Sequence, residues 1–148
     1  MKIFCVFLFV GLFFNIVFSQ NFSESQLIGS WKVIEVINYD STSNKDLVDF
    51  FDDFKSSRFY FRQDGFFEFS STGKSKAMII FMQMFSGSNW IFDPEHLEIG
   101  IGNKKNKFNS AKIFVREKDN KVVFNIQESP ITLIMEKQSR EQQSYDKY

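Results

Sequence analysis

Short stretches rich in β-branched and aromatic residues recur along most of the chain, and turn residues separate them. We count about nine such stretches, and this spacing is typical of an all-β sandwich or barrel. They begin near Trp31, Arg58, Phe66, Lys76, Asn89, His96, Phe108, Lys121 and Ile131. The pattern therefore predicts an antiparallel all-β domain.

One window, from Lys45 to Phe54, has the periodicity of a helix instead. Its apolar residues recur at helical spacing, four aspartates fill the opposite face, and Ser43 is placed to cap the N-terminus. The apolar residues are Leu47, Phe50, Phe51 and Phe54, and the aspartates are Asp46, Asp49, Asp52 and Asp53. We predict a short amphipathic helix after the first strand, with its aspartates as a solvated surface rather than catalytic carboxylates.

The segment from Arg58 to Ser70 predicts a hairpin for which two loop lengths compete. A two-residue loop of Asp64 and Gly65 mixes aromatic and charged residues on both faces. A three-residue loop that also contains Gln63, with Gly65 left-handed in a bulge, gathers four phenylalanines on one face. They are Phe59, Phe61, Phe67 and Phe69. Burial of four aromatic rings outweighs the small difference between turn types, and the bulged hairpin is predicted.

Two further hairpins also sort apolar from polar side chains. A two-residue turn at 119–120 gives the apolar pairs Ile113 with Ile126 and Val115 with Phe124. A loop of two or four residues around Pro94 aligns Trp90 and Phe92 with Ile99 and Leu97. Each hairpin thus offers one apolar face, as expected for strands wrapped round an interior.

The stretch from Ala77 to Phe85 departs from this alternation because both faces of a strand there would be apolar. A second apolar face must be covered. The helix predicted at 45–54 is one candidate cover. The other interpretation is a surface for self-association or for a protein partner.

The N-terminus has the pattern of a secretory signal peptide: a positive start at Lys2, an apolar run to Phe18 and a small residue at Ser19. This run of about 16 residues is shorter than the roughly 20 that span a bilayer, so we expect cleavage after Ser19, a secreted or periplasmic protein and no transmembrane span in the mature chain. The predicted organisation is a signal peptide at 1–19, an N-terminal arm at 20–26, one domain at 27–137 and a polar tail at 138–148.

Composition limits the chemistry further. The chain has 18 basic and 18 acidic residues, and this balance gives no electrostatic case for nucleic acid. Cys5 would leave with the signal peptide and His96 is the only imidazole, so no second His or Cys can complete a common metal site. A serine nucleophile would need His96 as its base and a carboxylate to orient it, and nothing in the sequence resembles a nucleophile elbow. We expect a protein without enzymatic activity, metal or cofactor.

Several motifs occur in a recognisable order. Gly29-Ser-Trp31 resembles the Gly-x-Trp signature of lipocalins, in which the Trp closes one end of the barrel. The Asp64-Gly65 turn between Phe-rich strands, Ser86-Gly-Ser-Asn-Trp90 and the apolar strand Ile131–Met135 extend the likeness. Over Leu27 to Lys137 the chain resembles the small secreted bacterial lipocalin-like domain proteins. The resemblance implies an antiparallel up-and-down barrel of about eight or nine strands, with the one short helix after the first strand and with Gly29, Trp31, Asp64 and Gly65 as structural signature.

Eight-stranded barrels either fill their interior with side chains or hold one small ligand, and an aromatic interior suits both. The first hypothesis is an exported module that binds a small apolar molecule inside the barrel, where Glu35 either orients the polar end of the ligand or points to solvent past a bulge. The second is a closed-core structural or interaction domain that acts through the 77–85 surface. Candidate ligand-binding residues are Phe59, Phe61, Phe67, Phe69, Trp90, Phe92, Phe124 and Glu35.

Overall fold

The computed structural model describes residues 22–38 and 44–139. A short helix, α1 (Glu24–Leu27), precedes the first strand, β1 (Gly29–Asn38). The later elements are α2 (Lys45–Asp53), a 3-10 turn (Phe54–Ser56), β2 (Arg58–Phe61), β3 (Phe67–Ser70), α3 (Lys76–Met84), β4 (Asn89–Asp93), β5 (Glu98–Gly102), β6 (Ala111–Lys118), β7 (Lys121–Ile126) and β8 (Ile131–Lys137). The predicted signal peptide, its cleavage site, the Ser43 cap and most of the polar tail lie outside the described residues.

The strands form one eight-stranded antiparallel sheet in the order β3-β2-β1-β8-β7-β6-β5-β4. Because β1 lies beside β8, the sheet curls into a nearly closed barrel in which most neighbours in space are also neighbours in sequence. In the described part of the chain, one isolated bridge, Phe66 to Asn89, joins the seam between β3 and β4. The predicted antiparallel barrel with a short helix after its first strand is confirmed.

The bulged hairpin predicted for β2 and β3 has the expected register. Phe61 lies opposite Phe67 and Phe59 lies opposite Phe69. Gly65 adopts a φ of 82°, in the left-handed region that the three-residue loop requires. The rings of all four phenylalanines therefore share the inner face of the barrel.

The other two hairpins differ in how well the sequence specified them. In β6 and β7, Ile113 pairs with Ile126 as predicted, around the left-handed residues 119–120. In β4 and β5 the loop has four residues, so Phe92 lies opposite Ile99. The predicted pairing of Phe92 with Leu97 is wrong by two residues, because Leu97 is itself a loop residue with a φ of 51°.

The segment predicted as a two-faced apolar strand at 77–85 is the helix α3, and this prediction is wrong. An apolar run without clear alternation suits a strand or a covering helix equally well. An N-cap favours the helix: the Ser75 hydroxyl accepts a hydrogen bond from the Met78 backbone N–H at 3.2 Å. Met78 and Phe85 are buried, and Phe81 is half-buried.

The predicted helix at 45–54 is confirmed as α2 and the turn that follows it. The cap is Asn44, whose side chain accepts from the Asp46 N–H at 3.0 Å. Asp53 is not a solvated aspartate, because its carboxylate accepts a hydrogen bond from the Ser75 N–H at 2.9 Å and so joins α2 to α3. Within the described residues, no helix combines the length and apolar character that a membrane crossing requires.

Candidate functional site

Five of the residues predicted to bind a ligand lie together inside the barrel and are buried: Phe59, Phe61, Phe67, Trp90 and Phe124. Their rings contact one another directly. The ring centroids of Phe61 and Trp90 are 5.2 Å apart, those of Phe61 and Phe67 are 5.3 Å apart, and those of Phe59 and Phe124 are 5.8 Å apart. Such distances are ordinary for packed aromatic pairs, so these side chains fill the space between them.

Of the remaining three predicted residues, two lie at the margin of this aromatic cluster and one lies outside it. Phe69 is half-buried and touches both Phe59 and Phe81 of α3, with centroid distances of 4.9 and 5.1 Å. Phe92 is half-buried at the far end of β4. Glu35 is exposed immediately past a β-bulge that begins at Val33, and the structure does not bring it to the aromatic interior.

Trp31 closes one end of the barrel. Its indole N–H donates to the Leu27 carbonyl oxygen at 2.7 Å, and Phe22 lies against the ring. Lys137 reaches over the same ring and donates to the Gln26 carbonyl oxygen at 2.6 Å. Burial against this surface lowers the pKa of Lys137.

Gly29, the residue before this closure, has a φ of 127°, a conformation that favours glycine. A side chain at Gly29 would also press against the Lys137 stem. Gly29 and Trp31 therefore act together in closing this end.

The Asp64-Gly65 turn connects the β2–β3 hairpin to β4. The Gly65 carbonyl oxygen accepts from the Trp90 backbone N–H at 2.9 Å, and the Trp90 indole N–H donates to the Arg62 carbonyl oxygen at 2.9 Å. Burial acts to raise the pKa of Asp64, but hydrogen bonds from the Phe66 N–H and the Arg62 guanidinium outweigh it and hold that pKa below its ordinary value. Like Trp31, Trp90 is hydrogen-bonded through its indole and buried: 5% of the surface of Trp90 is exposed, against 3% for Trp31.

An open groove of about 310 Å³ lies at the opposite end, between the two larger helices and the ends of β6, β7 and β8. Aromatic contacts build its wall: measured between centroids, the Phe81 ring lies 5.8 Å from Phe50 of α2 and 4.7 Å from Phe85, the C-cap residue of α3. The apolar lining consists of Phe50, Phe81, Met84, Phe85, Ala111, Ile126 and Ile131. The polar rim consists of Asn109, Ser110, Lys112, Gln127, Glu128 and Ser129.

A second depression, of about 300 Å³, follows the seam between β3 and α3. Glu68, Ser86 and Gly87 interrupt its apolar lining. The first groove is the better candidate site because its apolar wall is continuous with the aromatic core.

Only part of this groove had a signal in the sequence. Phe50 belonged to the predicted helix, and the 77–85 stretch stood out because both its faces are apolar. The residues on the sheet side, such as Ala111, Ile126 and Ile131, form the ends of three different strands, and no local pattern brings them together.

Among the described residues, no group of three His, Cys, Asp or Glu residues lies close enough to hold a metal ion. The His96 ring is exposed in the β4–β5 turn, with its Nδ1 2.7 Å from Asp93 Oδ2, and this hydrogen bond raises the pKa of His96. Comparison of the chain with protein-family models, curated proteins and solved structures gave no match.

Proposed function

We propose that this chain is an exported, non-enzymatic lipocalin-like module that binds a small apolar molecule in the groove beneath α2 and α3. The observation that carries the proposal is the groove itself. Its volume of about 310 Å³ is at the lower end of the roughly 300–1,000 Å³ of small-molecule sites. An aromatic wall with a polar rim on one side is the usual composition of such sites.

The packing of the interior favours the groove over the centre of the barrel as the binding place. Phe61 contacts Phe67, Trp90 and Phe124, so a ligand between these rings would have to displace at least one of them. Displacement of a packed ring gives up favourable contacts before any new one forms. The groove needs no such rearrangement.

The proposal can be tested with a neutral, environment-sensitive dye such as Nile red. Met84 lines the groove and is exposed, so Met84→Glu places a charge on the apolar wall without disturbing the core. We expect it to weaken dye binding by about tenfold, which corresponds to ~1.4 kcal/mol. Ile79→Glu is the matched control, because Ile79 is exposed on the same helix but does not line the groove.

Equal effects of the two substitutions would contradict binding in the groove. If Phe61→Leu changes dye affinity and Met84→Glu does not, the ligand lies in the interior instead. Native mass spectrometry of the protein from its own compartment gives an independent check, because a carried apolar molecule adds mass to the folded chain.

A second candidate function is supported by one observation. On α3, Ile79, Ile80 and Met84 are 43%, 50% and 54% exposed. Exposed apolar residues grouped on one helix are typical of interaction surfaces. A dimer or heteromer in the native mass spectrum, dissociated by Ile80→Glu and carrying no added small mass, would favour this closed-core interaction domain.

A further inference from the structure

The rim of the groove has one cation, Lys112, and the fold already neutralises it. The Lys112 Nζ donates to Glu98 Oε1 at 2.5 Å across neighbouring strands. The two side chains are 35% and 18% exposed, so the pair is largely screened from water. Separating them would leave a half-buried carboxylate without its partner, which is costly.

The rest of the rim offers an anion and uncharged hydrogen-bonding groups. Glu128 is an exposed carboxylate. The side-chain amides of Asn109 and Gln127 are exposed and make no hydrogen bond to the described part of the chain. The Ser110 hydroxyl accepts from the Asn106 amide at 2.7 Å, which leaves its own O–H available as a donor.

This arrangement of charge selects among apolar molecules by their polar end. Building on the proposed function, we infer that the groove prefers uncharged molecules with a hydroxyl or amide end over carboxylates of the same chain length. A carboxylate would lose hydration, approach Glu128 and meet no uncommitted cation among the lining residues. A hydroxyl or amide can hydrogen-bond to the rim without any of these penalties.

The lysines nearest to this rim in sequence do not supply the missing charge. Lys104, Lys105 and Lys107 are exposed on the β5–β6 loop and are not among the groove-lining residues. Their attraction for an anion acts through water and is screened by salt. At high ionic strength the attraction of these loop lysines for an anion is screened, so the ligand preference that remains is that of the groove itself.

The experiment measures displacement of Nile red by 1-octanol and by octanoate at neutral pH and high salt. The octyl chain favours apolar surroundings in both compounds, so the decisive readout is the change in affinity that a substitution causes. Glu98→Gln leaves the Lys112 charge uncompensated, and octanoate affinity should rise about fivefold, or ~1 kcal/mol, while octanol affinity stays within about twofold. Glu117→Gln, at the far end of β6, changes the net charge equally and should alter neither.

Glu128→Gln is a second variant that leaves the ion pair intact, so it keeps the test valid if Glu98→Gln folds poorly. It should also raise octanoate affinity several-fold, because it removes the carboxylate that an anion approaches. Octanoate binding as tight as octanol binding in the wild type, or no gain in either variant beyond Glu117→Gln, would overturn the inference. If Nile red and both octyl compounds fail to bind at all, the proposed function itself is wrong.

Discussion

The two ends of the barrel, which correspond to the two ends of β8, are covered in different ways. At the Lys137 end, Trp31 is held by Leu27, four residues before it, and the Gln138 N–H donates to the Ser30 carbonyl oxygen at 2.8 Å. At the Ile131 end, helices inserted between strands lie over the rim and leave a groove. Closure by residues that are hydrogen-bonded directly to β1 leaves little freedom, whereas a cover made of inserted helices leaves space and exposed apolar surface.

The largest expected difference between the two ends is in the free energy of unfolding. Trp31→Ala should lower it by about 3–5 kcal/mol, since the substitution empties a buried site and removes a buried indole hydrogen bond. Met84→Ala at the groove should change it by no more than about 0.5 kcal/mol, because Met84 is 54% exposed. Chemical denaturation of both variants measures the contrast.

Two variants sharpen this result. Trp31→Phe keeps most of the ring and loses the hydrogen bond to Leu27, so its loss should be clearly smaller than that of Trp31→Ala. Trp90→Ala should resemble Trp31→Ala, because Trp90 is equally buried and its indole is also hydrogen-bonded. If Met84→Ala were as destabilising as Trp31→Ala, the two ends would not differ in the way described.

At the helix end, the next largest effect is expected where the two helices are joined. A Cβ at Gly73 would overlap the Asp53 side chain, whose carboxylate accepts from the Ser75 N–H. Gly73→Ala should therefore cost about 1–3 kcal/mol through overpacking. In an Asp53→Gly background, which removes both the carboxylate and the Cβ that a side chain at Gly73 would overlap, the same substitution should cost much less, and a double-mutant cycle measures that coupling. Additive effects would show that the overlap is relieved by backbone movement instead.

Gly65 provides a test in which backbone conformation acts without crowding. No atom lies within 4 Å of a Cβ placed there, but its φ is 82°. Gly65→Ala should lower the unfolding free energy by about 1–2 kcal/mol through strain alone. Gly65→Asn should cost less, because asparagine tolerates left-handed backbone better than alanine does. Equal losses in the two variants would point to a cause other than φ.

The smallest effect is expected from pH. A hydrogen bond from His96 lowers the pKa of Asp93, while the same bond, with added attraction from Glu95 and Glu98, raises the pKa of His96. The stabilisation from the pair is lost as pH rises through the raised His96 pKa, and it is lost as pH falls through the lowered Asp93 pKa. The pair should contribute most to stability between about pH 4 and about pH 6.5, the ordinary pKa values of the two groups.

Titration of the His96 ring by NMR checks this directly. Asp93→Asn should return the His96 pKa toward its ordinary value while keeping an acceptor for the Glu95 and His96 backbone N–H groups. The turn lies at the end of β5 away from the groove, since Ala111 of the groove pairs with Ile101 at the other end. Dye binding should therefore not change with this substitution, and a change would mean that the two ends are coupled.

The sequence predicted best where local rules left a single answer. Phe59, Phe61, Phe67 and Phe69 could share a face in only one of the two loops, and the β2–β3 register followed. For the loop around Pro94 the prediction failed, because both loop lengths considered there pair Phe92 with Leu97, whereas Leu97 belongs to the loop and Phe92 lies opposite Ile99. Nine residues of α3 with apolar side chains on all sides carry no period that separates helix from strand.

The groove could not be predicted from the sequence either, and for a different reason. It forms where α2 and α3 meet strand ends that are distant in sequence, and only tertiary structure places Phe81 near Ile126. The ion pair of Glu98 and Lys112 likewise depends on the register of β5 and β6.

The pairing of β1 with β8 has a consequence for how the chain folds. These strands come from opposite ends of the domain, and their contact runs along nearly the whole length of β1. During synthesis β1 can pair with β2 early, but its other edge has no partner until the last strand has been made. Contacts between such distant segments slow folding, and an uncovered strand edge invites pairing with other chains. The newly made chain is thus most prone to aggregate just before its C-terminal strand docks, and loss of β8 would leave that vulnerable state permanent.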